Sequence, residues 1–242
     1  MKDDNIATKT LCVIPARGGS KRIPRKNIKN FCGTAMITRS IQTAQKSRLF
    51  DRIIVSTDDD QIAEVATLSG ADVPFIRPEH LSNDYAGTIE VIAHAAQIIK
   101  EKDGVHYDYI CCLYATAPFV TADNLHEAHK LIQTNHYDFT IPVTTFPFPI
   151  QRAVHLTDNG FLEAFSAENM TKRSQDLEEA YHDAGQFYFG TYDAWINTKN
   201  IWSQKIAPVF LPRYLVQDID TQEDWIRAEL MYKVLYPDVV CL

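Results

Sequence analysis

The chain has 242 residues, of which 45% are hydrophobic and 23% charged, and its formal net charge is −7. That length supports one large domain with a substantial core, and no run of about 18 apolar residues offers a membrane span. An acidic chain lacks the broad basic face that displaces counterions from nucleic-acid phosphates, so an anionic ligand must be met by a local basic site.

Residues 1–10 are polar and lack the basic, apolar and small-residue regions of a signal peptide, which gives a cytoplasmic protein as the expectation. The cysteines Cys12, Cys32, Cys111, Cys112 and Cys241 form no CxxC pair, and their odd number points to reduced core thiols. The histidines show no HxxxH or HxH spacing, which argues against zinc.

Apolar, β-branched runs alternate with helical patterns from the start of the chain. Residues 11–16 read as a strand, 35–47 as a helix, 52–57 as a strand and 61–69 as a helix. The rhythm continues with a strand at 73–76, a helix at 88–100, a strand at 109–114 and a helix opened by Thr121. Such alternation predicts an α/β fold, a mostly parallel sheet covered by helices on both faces, with ligands at the carboxyl ends of the strands. After Val143 the pattern breaks, and residues 152–156 and 161–165 around the turn Asp158-Asn159-Gly160 read as a β-hairpin leaving the main sheet. Strands at 185–190, 207–211 and 213–217 follow, then an amphipathic helix over 221–236.

The first strand runs directly into a loop with five basic residues in the eleven positions 17–27: Arg17, Lys21, Arg22, Arg25 and Lys26. Gly18 and Gly19 let backbone N–H groups approach phosphate oxygens, while Arg17, Lys21 and Lys26 neutralise charge, so the loop reads as a polyphosphate cradle. It is neither a Walker A sequence nor GxGxxG. Near the other end, Asp218 and Asp220 stand two apart on an extended stretch, an arrangement in which both carboxylates converge on one hard cation. The competing reading is that Asp220 opens a capping box with Glu223. Asp58 and Asp59 read as structural or helix-capping.

The blocks Ala16-Arg17-Gly18-Gly19-Ser20-Lys21 with Lys26-Asn27, residues 50–58, 77–81, 115–118, 183–188 and 218–221 resemble, in order and separation, the acylneuraminate cytidylyltransferase family. The resemblance implies a three-layer Rossmann-like nucleotidyltransferase fold, a single domain over 1–242 with an inserted hairpin subdomain at about 146–182 that mediates a homodimer. Phe161 and Phe165 are then interface candidates. It implies that Ala16, Arg17, Gly18, Gly19, Ser20, Lys21, Lys26 and Asn27 hold the triphosphate of CTP. Arg77 and Thr88 lie near the cytosine, and Thr116 and Pro118 border the site. Asp218 and Asp220 hold Mg²⁺, and with Arg17 and Lys21 they carry catalysis of CMP transfer to an acidic sugar.

On the sugar side the chain departs from sialate-activating relatives. Tyr114 stands where they have glutamine, Gln151 or Arg152 where they have lysine, and Ala184-Gly185 where they have Asn-Gly. Arg173 precedes Ser174, which occupies the place of their arginine. Together with Tyr181, Gln186, Phe187 and Tyr188 as pocket candidates, this combination resembles the pseudaminate-activating branch. The alternatives are the same reaction on legionaminic, sialic or eight-carbon 3-deoxy acids, and a non-catalytic nucleotide-binding regulator on the same scaffold.

Overall fold

The structure, a computed structural model, describes residues 8–239. In chain order the elements are β1 (Thr10–Pro15), β2 (Asn30–Phe31), β3 (Thr34–Ala35), α1 (Met36–Ser47), β4 (Arg52–Ser56), α2 (Asp60–Leu68), α3 (Thr88–Asp103), β5 (Tyr109–Leu113) and α4 (Ala122–Asn135). There follow β6 (Phe139–Thr145), β7 (Val154–Leu156), β8 (Leu162–Ala164), β9 (Tyr181–Asp183), β10 (Phe187–Thr191), α5 (Tyr192–Asn197), β11 (Ile206–Phe210) and α6 (Gln222–Leu235).

Alternation along β1 divides the core. Cys12 and Ile14 pack with α1, α2 and α4 on one face, Leu11 and Val13 with α3 and α5 on the other. Both faces are covered, which is why the strands read as near-continuous apolar runs. The sheet has seven strands, in the order β11-β6-β10-β5-β1-β4 with β9 also paired to β6. β1 is parallel to β4 and β5, and β6 to β11, whereas β10 runs antiparallel between β5 and β6. The mostly parallel α/β architecture is as expected; the reversed central strand is not.

β9 and β10 both lie along β6, but the six steps from Asp183 to Phe189 oppose only three from Val143 to Thr140. The surplus forms a bulge around Gly185, whose φ of 62° suits glycine. Residues 73–76 form no strand: Pro74 lacks an N–H for a ladder, and only isolated bridges at Asp72 and Ile76 flank it. Residues 213–217 hold a 3₁₀ turn at Arg213–Leu215, again not a strand. β2 and β3 form a small hairpin that the sequence pattern missed, turned by Cys32 and Gly33 at φ 47° and 89°.

A third apolar cluster joins Ile23, Phe31, Met36 and Phe119 to Ile219, Trp225 and Tyr232 of the carboxyl-terminal segment and α6. The chain leaves the sheet after Thr145 and returns at Tyr181, its register partner, so the insertion is closed at its base by β6–β9 pairing. Within it, β7 and β8 pair only with each other among the described strands. Cys12, Cys111 and Cys112 are free and buried. Cys32 is disulfide-bonded, a departure from the all-thiol expectation that an odd cysteine count permits. Cys241 and residues 1–7 lie outside the described residues. Among the described residues no helix is long and apolar enough to cross a membrane.

Candidate active site

The basic loop takes its shape from the acidic residues after β4. Ala16 extends the β1–β4 ladder through its N–H to the Ser56 carbonyl (3.0 Å), and the next free donor, the Gly18 N–H, bonds Asp58 Oδ1 at 3.0 Å. A Cβ at Gly18 would lie 2.7 Å from Asp59 Oδ2, so any larger residue there would have to displace the Asp59 side chain. Asp59 accepts from Arg25 Nη1 and Nη2 at 2.5 and 2.9 Å and caps α2 through the Ile62 N–H at 2.9 Å. The Arg25 guanidinium holds the Asp59 carboxyl below the usual carboxylate range. Asn27 Nδ2 donates to the Arg17 carbonyl at 2.9 Å, closing the loop across its mouth. Asp58 and Asp59 thus have the structural role expected of them. Arg25 and the Gly18 N–H are spent on shaping the loop, leaving Arg17, Lys21, Arg22 and Lys26 for the cavity.

The carboxyl-terminal segment reaches the loop through apolar packing. Ile219 is buried against Ile23 and Trp225, and Trp225 meets Phe31 edge-on at 5.5 Å. That docking brings Lys26 Nζ to the Ile219 carbonyl at 2.6 Å and to Asp220 Oδ1 at 3.3 Å, while Arg22 Nη2 lies 2.7 Å from Asp220 Oδ2. Helix α6 is capped by Thr221, whose hydroxyl accepts the Asp224 N–H while Asp224 accepts the Thr221 N–H. The capping box therefore sits one residue later than the Asp220-Glu223 alternative, and the Asp220 carboxylate is left facing cations. Asp218 keeps an exposed edge, yet partial burial of its carboxyl group, and then Asp220, push its pKa up. Two crowded carboxylates, one destabilised in its charged form, suit a divalent cation that takes its remaining ligands from phosphate and water. By donor chemistry the pair fits Mg²⁺.

A cavity of about 410 Å³ lies between loop and segment, lined by Arg17, Ser20, Lys21, Arg22, Lys26, Asn27, Thr116, Asp84 and Asp220. A neighbouring cavity of about 500 Å³ holds Asp218, Asp220, Lys26, Thr116, Asp183, Gly185 and Tyr188. A third, about 740 Å³, is bounded by Thr88, Tyr114, Asp183, Tyr188, Lys199, Asn200 and Trp202. Tyr114 lines all three. Its hydroxyl is 2.8 Å from Thr88 Oγ1, and its ring stands edge-on to Tyr188 at 5.7 Å. Tyr188 in turn donates to Asp183 Oδ2 at 2.5 Å. Burial raises both phenol pKa values, so both rings stay neutral donors at physiological pH.

Several other candidates fall outside this cluster. Arg77 is 4% exposed beside a separate hollow of about 370 Å³, 3.8 Å from Asp58, with Nε donating to Ser82 Oγ at 3.3 Å. Burial lowers its pKa. Ala16 and Pro118 are buried and Gly19 is exposed, and none of the three lines these cavities. Gln151 and Ser174 line a cavity of about 410 Å³ in the insertion, where Gln151 also donates to the Glu178 carbonyl. Arg152 is bound to the carbonyls of Asn169 and Lys172, and Arg173 to Asp176 at 2.7 Å. The Tyr181 ring lies 5.0 Å from that of Phe210, tilted by 60°, and its hydroxyl donates to Glu179.

One pocket candidate requires correction. Phe187 is 0% exposed in the core, which leaves its ring no face for a ligand. Gln186 is buried; its Nε2 donates to the Leu215 carbonyl at 2.5 Å, tying the start of β10 to the Arg213–Leu215 turn, while its Oε1 has no partner among the described residues. Conversely, Asp84, Asp183, Lys199, Asn200 and Trp202 line the cavities without a sequence signal for that role. Asp183 lies within the block 183–188, whereas an isolated tryptophan after α5 carries no signal beyond its residue type.

A profile of the cytidylyltransferase family matches residues 11–230. Over 226 residues the chain is 46% identical to the pseudaminic acid cytidylyltransferase of Campylobacter jejuni subsp. jejuni serotype O:2, across 93% of this chain and 97% of that one. It is 30% identical over 219 residues to the N-acylneuraminate cytidylyltransferase of Escherichia coli O18:K1:H7, across 90% of this chain and 51% of that one. Among solved structures, that of CMP:2-keto-3-deoxy-manno-octonic acid synthetase complexed with CTP has a TM-score of 0.68, covering 94% of this chain and 100% of that chain at 15% identity, a likeness of fold. Since the profile match runs from β1 into α6 and takes in every strand of the sheet, the chain belongs to the cytidylyltransferase family.

Proposed function

We propose that the chain transfers CMP from CTP to the anomeric hydroxyl of pseudaminic acid and releases pyrophosphate. The observation that carries this reading is the apposition of the cationic loop and the Asp218/Asp220 pair, with Lys26 3.3 Å from Asp220, in a chain 46% identical to a pseudaminic acid cytidylyltransferase. The anomeric hydroxyl gives up its proton to solvent as its oxygen attacks the α-phosphorus, and the bond from that phosphorus to the oxygen shared with the β-phosphate breaks, so negative charge builds on the departing pyrophosphate. Arg17 and Lys21 lie where fixed positive charge offsets that build-up, and Lys26 ties the loop to the opposite wall. Asp218 and Asp220 would hold Mg²⁺, which would supply further charge neutralisation. No nucleophilic side chain is required of the protein. Tyr114, Tyr188 and Asp183 form the polar wall against which the sugar is oriented, next to the larger cavity with Trp202.

Pyrophosphate release measured with CTP and pseudaminic acid, then with CTP and sialic acid, tests the reading. Release with the first sugar and little with the second is the expected result; the reverse preference would reassign the substrate. A cytoplasmic location accords with dependence on CTP.

The insertion supports a homodimer. Leu156, Phe161, Leu162 and Phe165 are 68, 71, 74 and 72% exposed on a two-stranded ribbon, more apolar surface than a lone hairpin normally leaves to water. Light scattering at micromolar concentration should give twice the chain mass, and a monomer would rule the dimer out.

A further inference from the structure

The phosphate-facing groups of the basic loop are already engaged by one carboxylate. Asp84 places Oδ1 2.7 Å from Arg17 Nη1 and Oδ2 2.5 Å from Lys21 Nζ, and Arg17 also donates to the Asn83 carbonyl at 3.0 Å. One acid with its two oxygens on two different cations occupies them as the oxygens of a phosphate would. The turn that presents it is tied down: Asn83 Oδ1 accepts the Tyr85 and Ala86 N–H groups at 2.8 and 3.0 Å, and Asn83 Nδ2 donates to the His80 carbonyl at 3.0 Å. Among the described residues the Asp84 carboxylate bonds only Arg17 and Lys21, so it caps no helix. Exposed pairs of this kind add little to stability. Its use therefore lies in the cavity, where Arg17 and Lys21 would otherwise repel each other.

We propose that Asp84 is a positioning residue that stands in for nucleotide phosphate. It holds Arg17 and Lys21 oriented while the site is empty, yields them to the incoming triphosphate, and competes for them again as pyrophosphate departs. The inference rests on the reading that the loop binds the triphosphate. Its cost is affinity for phosphate chains, and its benefit is release of the product.

Calorimetric titration with pyrophosphate in the presence of EDTA tests this on the intact chain. Asp84→Asn keeps the size and removes the charge, and it should bind pyrophosphate about ten-fold more tightly than the parent. Cytidine, which carries no phosphate, should bind the two proteins alike, and Asp84→Glu should return pyrophosphate affinity towards the parent value. Unchanged or weaker pyrophosphate binding by Asp84→Asn, in protein with an unaltered melting curve, would overturn the proposal. Lys21→Ala separates the two levels of the argument. If it fails to weaken pyrophosphate binding, the loop reading falls and takes this inference with it. If it weakens binding while Asp84→Asn does not strengthen it, only the role of Asp84 falls.

Discussion

Asp218→Ala should lower kcat about 10³-fold, equivalent to ~4 kcal/mol of transition-state stabilisation, with little change in melting temperature. Asp218 is the cleaner of the two acidic positions to test. Asp220 is bound to Arg22 and Lys26, so its removal frees two cations and loosens the loop as well as deleting a carboxylate. Asp218 has no ion pair among the described residues and caps no helix, so its deletion acts chiefly through the cation the pair would hold. Steady-state turnover with both substrates saturating, repeated across a Mg²⁺ titration, is the measurement. Near-normal turnover would remove Asp218 from the metal site.

Lys21→Ala should reduce kcat/KM for CTP by about 10²- to 10³-fold, the scale on which a pre-positioned charge facing a leaving group acts. The Lys21 side chain is 79% exposed and touches the core nowhere, so a folding defect is not the expected cause. Lys21→Arg is not a conservative control, because a planar fork replaces a compact point charge. Initial rates over a range of CTP concentrations, beside a thermal melt, decide the matter. Kinetics like those of the parent would sink the phosphate cradle.

What the sequence disclosed was local. The polar punctuation at Thr121, the hairpin turn ending at Gly160 (φ 79°) and the helical period of residues 35–47 each write their geometry into a few neighbours. The direction of β10 was not legible, since a strand buried on both faces has the same apolar run whichever way it lies. The loop and the Asp-x-Asp pair could each be read alone, but their meeting could not. Lys26 and Ile219 are 193 positions apart, and what joins them is the packing of Ile23, Ile219 and Trp225, residues whose types mark only a core. The Asp220 capping alternative failed by one residue for a related reason: Asp220 and Thr221 both suit the cap, and the docked helix chose the second. Asp84 carries no mark in the sequence, because an exposed acid in a turn is ordinary until it meets two cations such as Arg17 and Lys21.

The reversed strand at the centre of the sheet also governs the order of assembly. Until residues 187–191 are in place, β5 and β6 each present an open edge, and the insertion that follows β6 has already emerged. A nascent chain halted before that point carries an unpaired border on β5 and, because β11 follows later still, unpaired borders on both sides of β6, the condition under which strands recruit neighbouring molecules. Joining of β5 to β6 is thus a late, long-range event that waits on one five-residue strand.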